Sequence, residues 1–418
     1  MSETSSFLDP ATLIDPRAFF RSLRDEKPVY FDETLGAWIV TRHQEVGYVL
    51  STPDKFSNRL AYFTRNNFEA EVNEVLTRDG IGPFIEVPPM TDPPAHTRIR
   101  RLINLAFSSR RIKKFQDYIE DISSRLLDSA IEKDVVDFVA DVAVPMPVAV
   151  IADMLCVPEE RSDDIKRWTR AYTACAGNRI KDAEEARQIG AELAEMQNFI
   201  MGHIKERRNH AEDDVLGDLV NARTAEGDEP LSDEEIVAIA AAFLVAGHET
   251  STVAVTAIAK FFAEQPDYVE RLRNSPKQEE DIRQFCEEIM RLNPPVKMLP
   301  RVSLTDVEVG DTVIPGESFV LSVMASGNED DLVFGSDAAQ FCPGRKNANK
   351  HHSFGAGPHL CVGNMLARAE LKTITRLLVE KVDSIEIAEE LSFESYEPVV
   401  LDINMQLKKL MLRMDGRK

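Results

Sequence analysis

One cysteine stands inside a glycine-rich segment, SFGAGPHLCVG, at residues 353–363. Cys361 comes just before a long helical pattern, and the unsatisfied N–H groups at a helix start favour a thiolate over a thiol. Phe354 adds an aromatic face near the sulfur. Glycines let a backbone take positive φ angles or approach a flat partner closely; here they are Gly355, Gly357 and Gly363. A loop of this kind suits thiolate ligation of haem iron.

Cys361 has two other interpretations: a buried structural cysteine after a turn, and a catalytic nucleophile. No second cysteine lies nearby, which excludes a Cys-x-x-Cys metal or redox site at this segment. A nucleophile needs a partner such as histidine or asparagine, and the sequence indicates no such arrangement. The five cysteines are scattered and odd in number, which is typical of reduced thiols rather than of a disulfide framework.

A second polar group interrupts a long apolar run. Residues 246–251 read AGHETS, so an acid, Glu249, stands beside an alcohol, Thr250, in an apolar helical pattern. Buried groups of this kind need partners or water, and such hydroxyls can bend a helix. Gly247 would thin the helix and leave room for a small ligand such as dioxygen. A solvated polar turn in a core helix is the plainer interpretation.

Two charged pairs occur at helical spacing. Glu288 and Arg291 are three residues apart, and most such pairs are exposed and contribute only a few tenths of a kcal/mol. His96 and Arg100 are four residues apart at a helix start. There they could grip one carboxylate, such as a haem propionate, together.

The motif Phe-x-x-Gly-x-x-x-Cys-x-Gly, with His359 two residues before Cys361, resembles the haem-binding signature of the cytochrome P-450 monooxygenases, in particular the soluble bacterial ones. The resemblance extends from about Leu13 to Arg413, with its strongest motifs between 92 and 370. It implies haem b with Cys361 as the thiolate ligand of the iron. The cofactor-binding residues that it implies are His96, Arg100, Arg301, Phe354, Gly355, His359, Cys361 and Gly363.

The same resemblance assigns roles to the other motifs. Ala246-Gly247-x-Glu249-Thr250 matches the oxygen-activating segment of the family, where the alcohol and the acid help to deliver protons. It also implies that Glu288 and Arg291 form a buried structural ion pair near residues 353–363, the segment that carries Cys361 and is called the thiolate loop below. Arg301 and His359 match further propionate contacts.

Two positions depart from the family pattern. The family usually completes the Glu-x-x-Arg network with an arginine just before a phenylalanine, whereas this chain has Gln340 before Phe341. The network is therefore altered, or Arg345 substitutes. The common Asn-Arg-Asp is here Asn328-Glu329-Asp330, which leaves the packing of 327–345 open.

The elements that must position these residues are mostly helical. Ser232 and Glu235 form a capping box, after which a helical pattern runs to Gln265, about 50 Å at 1.5 Å per residue. Further helices are predicted at 278–292 and 362–381, strands within 28–41, a loop-rich insert at 60–95, and a hairpin turning at Pro315-Gly316. We expect a mainly α (α+β) fold with a minor sheet, in one domain over 1–418, with residues 1–10 disordered.

Composition limits the partners. A net charge of −22 argues against nucleic acid and anionic membranes. The apolar run of about twelve residues from Ile236 is too short for a span and is typical of a buried helix. The start MSETSSFLDP has no secretory-signal pattern, so we expect a cytoplasmic protein, and a monomer.

Electrons and substrate complete the hypothesis. Residues 96–114 hold seven Lys or Arg and no acid, a candidate docking surface that Lys350, His351, His352 and Arg368 could extend; a solvated helix side is the alternative. The resemblance implies a 2Fe–2S ferredoxin with its reductase. Mostly apolar positions suggest a hydrophobic substrate such as a terpenoid, steroid or aromatic, although Lys297 leaves an acidic group conceivable. The predicted pocket residues are Ala242, Leu244, Val296, Met298 and Leu299.

The resulting prediction is a haem monooxygenase that uses O2 to hydroxylate a C–H bond. A peroxide-driven peroxygenase of the same fold is one alternative, although it typically lacks the acid–alcohol pair. A non-catalytic haem sensor or carrier is the other, and it needs neither a proton relay nor an electron-donor surface.

Overall fold

The computed structural model describes residues 7, 12, 14–62, 68–83, 85–176, 179–210, 212–399 and 404–417. Of the predicted disordered start, residues 1–6 and 8–10 lie outside this part, whereas Phe7 is buried. Sixteen helices are described: α1 Arg17–Glu26, α2 His43–Ser51, α3 Arg59–Tyr62, α4 Glu69–Asp79, α5 Ala95–Ala106, α6 Ser109–Ile131, α7 Pro145–Met154, α8 Ser162–Ala176, α9 Ala183–Asn209, α10 Val215–Asn221, α11 Asp233–Glu264, α12 Pro266–Arg273, α13 Gln278–Leu292, α14 Met324–Gly327, α15 Asp331–Phe334 and α16 Asn364–Lys381.

The strands form small sheets. They are β1 Val29–Asp32, β2 Ala37–Val40, β3 Phe56–Ser57, β4 Val136–Asp137, β5 Leu299–Ser303, β6 Val307–Val309, β7 Thr312–Ile314, β8 Phe319–Ser322, β9 Val382–Ile387, β10 Tyr396–Val399, β11 Asn404–Leu407 and β12 Met411–Gly416. The largest sheet has the order β1-β2-β8-β5-β3, with β2 and β8 parallel and its other pairs antiparallel. The mainly α fold with a minor sheet is confirmed.

The chain divides into two compact units. Unit 1 comprises Met1–Ser57, Gln116–Pro147 and Glu249–Lys418, and unit 2 comprises Asn58–Phe115 and Val148–His248. The sequence has no linker between them, and the single domain over 1–418 stays a prediction. Unit 1 carries the thiolate loop, and its largest sheet has a core on each face, one with Val40 and Phe56, the other with Ile39 and Met298.

Local signals in the sequence placed several elements correctly. The capping box forms as predicted: the Glu235 N–H donates to Ser232 Oγ at 3.1 Å, and the Ser232 N–H donates to Glu235 Oε2 at 2.9 Å. The predicted helix at 278–292 is α13, with the same bounds. Strands β1 and β2 pair around a turn where Gly36 has a φ of +60°.

Two predictions of local structure were wrong. The insert at 60–95 contains α4, in which Val72, Val75 and Leu76 follow helical spacing and are buried. The hairpin turns at Gly310, with a φ of +55°, between β6 and β7. Pro315-Gly316 instead leads into β8, which joins the main sheet.

The long helix α11 combines length with an apolar composition. Within the described part of the chain it is the one helix whose length and composition would allow it to cross a membrane. Its most apolar window is 56 % buried inside the protein, as in the core helix of a soluble protein.

Candidate active site

The glycine-rich loop folds back on itself before α16. Gly355 and Gly357 have φ angles of +74° and +66°, which glycine adopts without strain. The backbone N–H of Cys361 donates to the Phe354 carbonyl at 2.9 Å and closes the loop. A Cβ at position 357 would lie 2.5 Å from the Cα of Ser51, so the loop packs directly on the end of α2. The glycines are therefore required by the shape of this loop.

Cys361 lies at the amino end of α16. Gly363 is the N-cap residue of this helix, and a Cβ there would lie 3.9 Å from the Cys361 sulfur. The side-chain amide of Asn364 donates to the Cys361 carbonyl at 2.6 Å. The sulfur is thereby held beside the positive end of a helix, where an anion is favoured.

The other cysteines are poorer candidates for an iron ligand. Cys361 is the one exposed cysteine among the five, whose sites all lie in the described part of the chain. Cys286 is 3 % exposed on α13, and burial raises the pKa of its thiol to about 12. Burial likewise raises the pKa of Cys156 to about 12. A thiol that stays protonated in the core is a structural group and a poor metal ligand.

A buried charge network lies beside the loop. Glu288 and Arg291 on α13 have no exposed side-chain surface, and two hydrogen bonds of 2.7 Å join them. Arg345 adds a third member, with its Nε 3.2 Å from Glu288 Oε1. The arginine missing from position 340 is thus replaced by Arg345, and Gln340 contributes its backbone carbonyl to Arg291 at 3.2 Å.

The Asn328-Glu329-Asp330 segment is buried and mostly bonded. Asp330 caps α15 and accepts a 2.6 Å bond from Arg42, while Asn328 Nδ2 donates to Ser353 Oγ at 2.9 Å. Glu329 is 5 % exposed, and burial raises its pKa to about 7. Glutamate in place of the usual arginine therefore puts a protonatable acid into this core.

The polar segment of α11 has one open face. Ala242, Ala246, Glu249, Thr250 and Val253 follow the helical repeat along one stripe, and each is half-buried or exposed. Most of their neighbours on the other faces of the helix are buried. This stripe is the surface of α11 that is accessible to a ligand.

Gly247 has a packing role. A Cβ at this position would lie 2.9 Å from Cδ1 of Ile151 on α7, so the isoleucine already fills the space beside the glycine. Close packing of Ile151 explains why this position carries a glycine, and the prediction that Gly247 leaves room for dioxygen stays a prediction.

The hydroxyls that follow Thr250 are engaged elsewhere. Thr252 Oγ1 donates to the carbonyl of Ala143 at 3.0 Å, and Ser251 Oγ donates to Oε2 of Glu370 at 2.6 Å. Glu370 is fully buried on α16, and burial raises its pKa to about 7 against the opposing effect of the Ser251 bond. Both hydroxyls are therefore buried and hydrogen-bonded, and neither lies on the open stripe with Thr250.

The predicted haem-propionate residues are cations or polar groups inside their own units. In unit 2, His96 is 2 % exposed, and burial together with the charge of Arg100 lowers its pKa to about 4. In unit 1, Arg301 is 2 % exposed on β5, and its Nη1 donates to the Pro300 carbonyl at 2.7 Å. His359 follows Pro358 in the thiolate loop, within a short 3-10 turn.

The predicted substrate residues divide into two groups. Val296 and Leu299 are half-buried apolar side chains at the edge of the first core, and Ala242 lies on the open stripe of α11. Met298 and Leu244 are each 1 % exposed and lie in the core, so their place in a substrate pocket stays a prediction. Met298 packs into the core that contains Ile39, on the opposite face of the main sheet from the core that contains Val40 and Phe56.

The basic stretch at 96–114 is largely neutralised. Arg98 pairs with Glu235, Arg101 with Asp228, and both Arg111 and Lys114 with Asp213. His351 and His352 are buried, and Arg368 bonds Glu287, so none of these extends a free basic surface. Arg110 and Lys113 remain exposed, and no ion pair is found for either within the described residues.

Sequence reasoning missed Glu287 and Asn364, which support the loop, and assigned two other supporting residues, His351 and Arg368, to a docking surface. The side chain of Arg368 forms a bidentate pair with Glu287, at 2.6 and 3.1 Å. Glu370 was also missed, although it interrupts the apolar face of α16 between Leu366 and Ile374. A charge on an apolar stripe is the signal that would have found it.

The groups in unit 1 fit a haem by their chemistry. An exposed cysteine lies at a helix amino end, in a loop whose glycines expose its backbone. A guanidinium, Arg301, carries a positive charge into the interior, where a carboxylate is the matching counter-ion. An exposed cysteine and a buried guanidinium are groups that could bind the iron and a propionate of a porphyrin.

Comparison with known proteins gives one consistent result. The family model described as Cytochrome P450 matches residues 49–389. The 6-deoxyerythronolide B hydroxylase of Saccharopolyspora erythraea is 30 % identical over 361 residues, covering 86 % of each chain. The structure of CYP109Q5 from Chondromyces apiculatus is 28 % identical, covers 98 % of each chain and superposes with a TM-score of 0.82. CYP109E1 from Bacillus megaterium in complex with testosterone is 27 % identical, with a TM-score of 0.79 over 96 % of this chain and 99 % of that one.

Proposed function

The chain belongs to the cytochrome P450 family, whose members bind haem through a cysteine thiolate, and on this premise we propose that it hydroxylates a hydrophobic small molecule with Cys361 as the iron ligand. Its family makes it a monooxygenase. The observation that carries the assignment of Cys361 is its position, exposed at the amino end of α16 behind a closed glycine loop. When bound, haem supplies the iron that activates dioxygen.

The residues of the chain have separate tasks in this proposal. Cys361 would hold the iron, and Arg301 and His359 would bind the propionates. The resemblance to the family gives His96 and Arg100 the same role. Thr250 and Glu249, on the open stripe of α11, hold and pass protons through the Thr250 hydroxyl and the Glu249 carboxyl. Glu288, Arg291 and Arg345 keep the chain around the loop in place.

Apolar contacts support a hydrophobic substrate. Val296 and Leu299 are half-buried, and Ala242 and Ala246 supply small apolar side chains on the stripe of α11. The relatives point the same way, since one is named as a hydroxylase of 6-deoxyerythronolide B and another was crystallised with testosterone. We therefore propose a terpenoid, steroid or similarly compact apolar compound.

Electrons come, in this proposal, from a 2Fe–2S ferredoxin and its reductase, in the cytoplasm. The acidic ferredoxin class suits Arg110 and Lys113, the exposed cations of the 96–114 stretch that have no ion pair among the described residues. This candidate docking surface is much smaller than the sequence suggested, because four of its neighbours are paired with acids of unit 2.

The carbon monoxide spectrum tests whether Cys361 is the iron ligand. Carbon monoxide added to the reduced holoprotein should give the far-red-shifted Soret band of thiolate ligation. Cys361→Ser should lose this band, whereas Cys286→Ser, a matched change at the buried cysteine, should keep it. Loss of the band in Cys286→Ser alone would overturn the assignment.

Turnover tests the proposed reaction, and substrate binding tests the proposed substrate class. Product formation with reductant and dioxygen, but not with peroxide alone, is expected for a monooxygenase. A screen that follows the shift of the Soret band on substrate binding should identify apolar compounds. A panel in which no apolar compound gives a shift would contradict the proposed substrate class.

A further inference from the structure

A buried carboxylate lies behind the thiolate loop, next to the Glu288 network but distinct from it. Glu287 on α13 is 6 % exposed. Burial alone would raise the pKa of Glu287, but hydrogen bonding by His351 and Arg368 outweighs it and lowers the pKa to about 2. The group is therefore a fixed anion in the interior of unit 1.

Hydrogen bonds connect this anion to the cysteine itself. Arg368 on α16 donates from Nε to Glu287 Oε1 at 2.6 Å and from Nη2 to Oε2 at 3.1 Å. Its remaining nitrogen, Nη1, donates to Oδ1 of Asn364 at 2.9 Å. Asn364 in turn donates from Nδ2 to the carbonyl of Cys361 at 2.6 Å. Glu287, Arg368 and Asn364 thus form an unbroken chain that ends on the backbone of Cys361.

Arg368 also contacts Phe354, at the beginning of the thiolate loop. Its guanidinium carbon lies 4.3 Å from the ring centroid of Phe354, within the range of a cation–π contact. Phe354 is the residue whose carbonyl accepts the N–H of Cys361. Arg368 therefore holds both ends of the turn that presents the sulfur.

His351 fixes the start of the loop to the same carboxylate. Its Nε2 lies 3.3 Å from Glu287 Oε2, and its Nδ1 accepts a 3.1 Å bond from the Ser353 N–H. Because Nδ1 accepts, the imidazole is neutral in this arrangement, which agrees with the effect of burial in lowering the pKa of His351.

We propose that Glu287, Arg368 and Asn364 are positioning residues that set the orientation of Cys361 toward the haem iron. The inference rests on the proposed function, in which Cys361 is the ligand. Outer groups that orient a metal ligand commonly change metal affinity about 10- to 100-fold when removed. A chain anchored by a buried anion can hold the backbone at residue 361 more rigidly than the loop could alone.

The chain offers a matched control on the same helix. Arg368 and Arg376 both lie on α16, with side chains 33 % and 34 % exposed, and both bond carboxylates. Arg376 pairs with Glu120 and Glu380, away from the loop. The test compares wild type, Arg368→Gln, Asn364→Ala and Arg376→Gln as holoproteins. It measures the reduced carbon monoxide spectrum and the rate of haem loss to an excess of a haem-scavenging protein.

In Arg368→Gln and Asn364→Ala, haem should leave about tenfold faster, and part of the carbon monoxide band should move to the position of a neutral ligand. Arg376→Gln should resemble wild type in both measurements. Equal behaviour of all three variants would overturn the positioning role. Absence of the thiolate band in wild type would instead overturn the proposed function. If Arg368→Gln fails to fold, Asn364→Ala decides, since it leaves the Glu287–Arg368 pair intact.

Discussion

Ser251 Oγ and Glu370 Oε2 are joined by a 2.6 Å hydrogen bond between the helices α11 and α16. Glu370 is 1 % exposed, and within the described residues its Oε1 has no hydrogen-bond partner. A carboxylate with one bond in an apolar interior is costly to ionise. The pair therefore contains a carboxylic acid that keeps its proton near neutral pH.

Glu370→Gln should change how stability depends on pH. Burial raises the pKa of Glu370 from 4.5 to about 7, so the folded protein keeps a proton that the unfolded chain releases. Stability from this group is complete below pH 4.5 and is lost as pH rises through 7, a change of about 3 kcal/mol at most. Urea unfolding at pH 5 and 8 should show a smaller loss in Glu370→Gln than in wild type.

Glu380→Gln is the control for this effect, because Glu380 is an exposed acid on the same helix. Its pH profile should parallel that of wild type. A profile of Glu370→Gln that also runs parallel to wild type would show that the buried acid titrates normally.

Signals confined to a few neighbouring residues allowed much of the fold to be predicted. Ser232 and Glu235 bond each other in the predicted capping box, and Pro294 and Pro295 follow Asn293, the C-cap residue of α13. By contrast, α4 was missed because the proline-rich breaker cluster at the end of the 60–95 segment outweighed the short apolar repeat of Val72, Val75 and Leu76. That repeat gains its stability by packing on α9, which lies more than 100 residues away in sequence.

The same difference between short and long sequence separation applies to the candidate site. A motif located the thiolate loop because its glycines and cysteine lie within a few residues of one another. Glu287, which supports the same loop, meets Arg368 across 81 residues of sequence, and spacing alone does not reveal such a pair. The basic stretch at 96–114 misled for the same reason, because the acids that neutralise it come from residues 213–235.

The buried Glu288–Arg291 pair should contribute far more to stability than its exposed counterpart. Arg291→Met leaves Glu288 buried, with Arg345 and the Cys342 N–H as its remaining partners among the described residues, which should cost about 3–5 kcal/mol. Replacing both residues by methionine should cost less than Arg291→Met alone. Unfolding by urea, arranged as a double-mutant cycle, measures the coupling.

Glu280 and Arg283 provide the comparison, since they have the same three-residue spacing on the same helix but are both nearly half exposed. Arg283→Met should leave the unfolding midpoint unchanged within error. Equal losses in Arg283→Met and Arg291→Met would show that burial of the ion pair is unimportant.

Charge reversal at Arg110 and Lys113 should slow electron delivery. Because both cations are exposed, an acidic ferredoxin would be repelled by Arg110→Glu/Lys113→Glu. The rate of first-electron transfer at low salt should fall about tenfold, and the difference should shrink as salt screens the charges. Stopped-flow reduction at several ionic strengths measures this rate.

The control has the same change of net charge elsewhere. Lys205 and Lys408 are exposed, and Lys205→Glu/Lys408→Glu should leave the rate close to that of wild type. If both double variants slow the reaction equally, net charge rather than a docking surface on α6 governs the encounter.

Substitutions of Thr250 and Thr252 distinguish an effect on proton delivery from an effect on helix packing. The two residues carry the same hydroxyl on α11, but Thr252 is buried and donates to the Ala143 carbonyl at 3.0 Å, whereas Thr250 lies on the open stripe. Thr250→Ala should therefore divert reducing equivalents from product to hydrogen peroxide, because the proposed proton donor is removed. Thr252→Ala should cost about 1 kcal/mol of stability, with coupling unchanged.

Two ratios test this difference: hydrogen peroxide formed per reductant consumed, and product formed per reductant consumed. Thr250→Ser restores the hydroxyl and should return both ratios toward wild type, which a purely steric effect of the threonine methyl group would not allow. If Thr250→Ala and Thr252→Ala raise peroxide formation equally, the effect arises from general loosening of α11, and Thr250 has no special part in proton transfer.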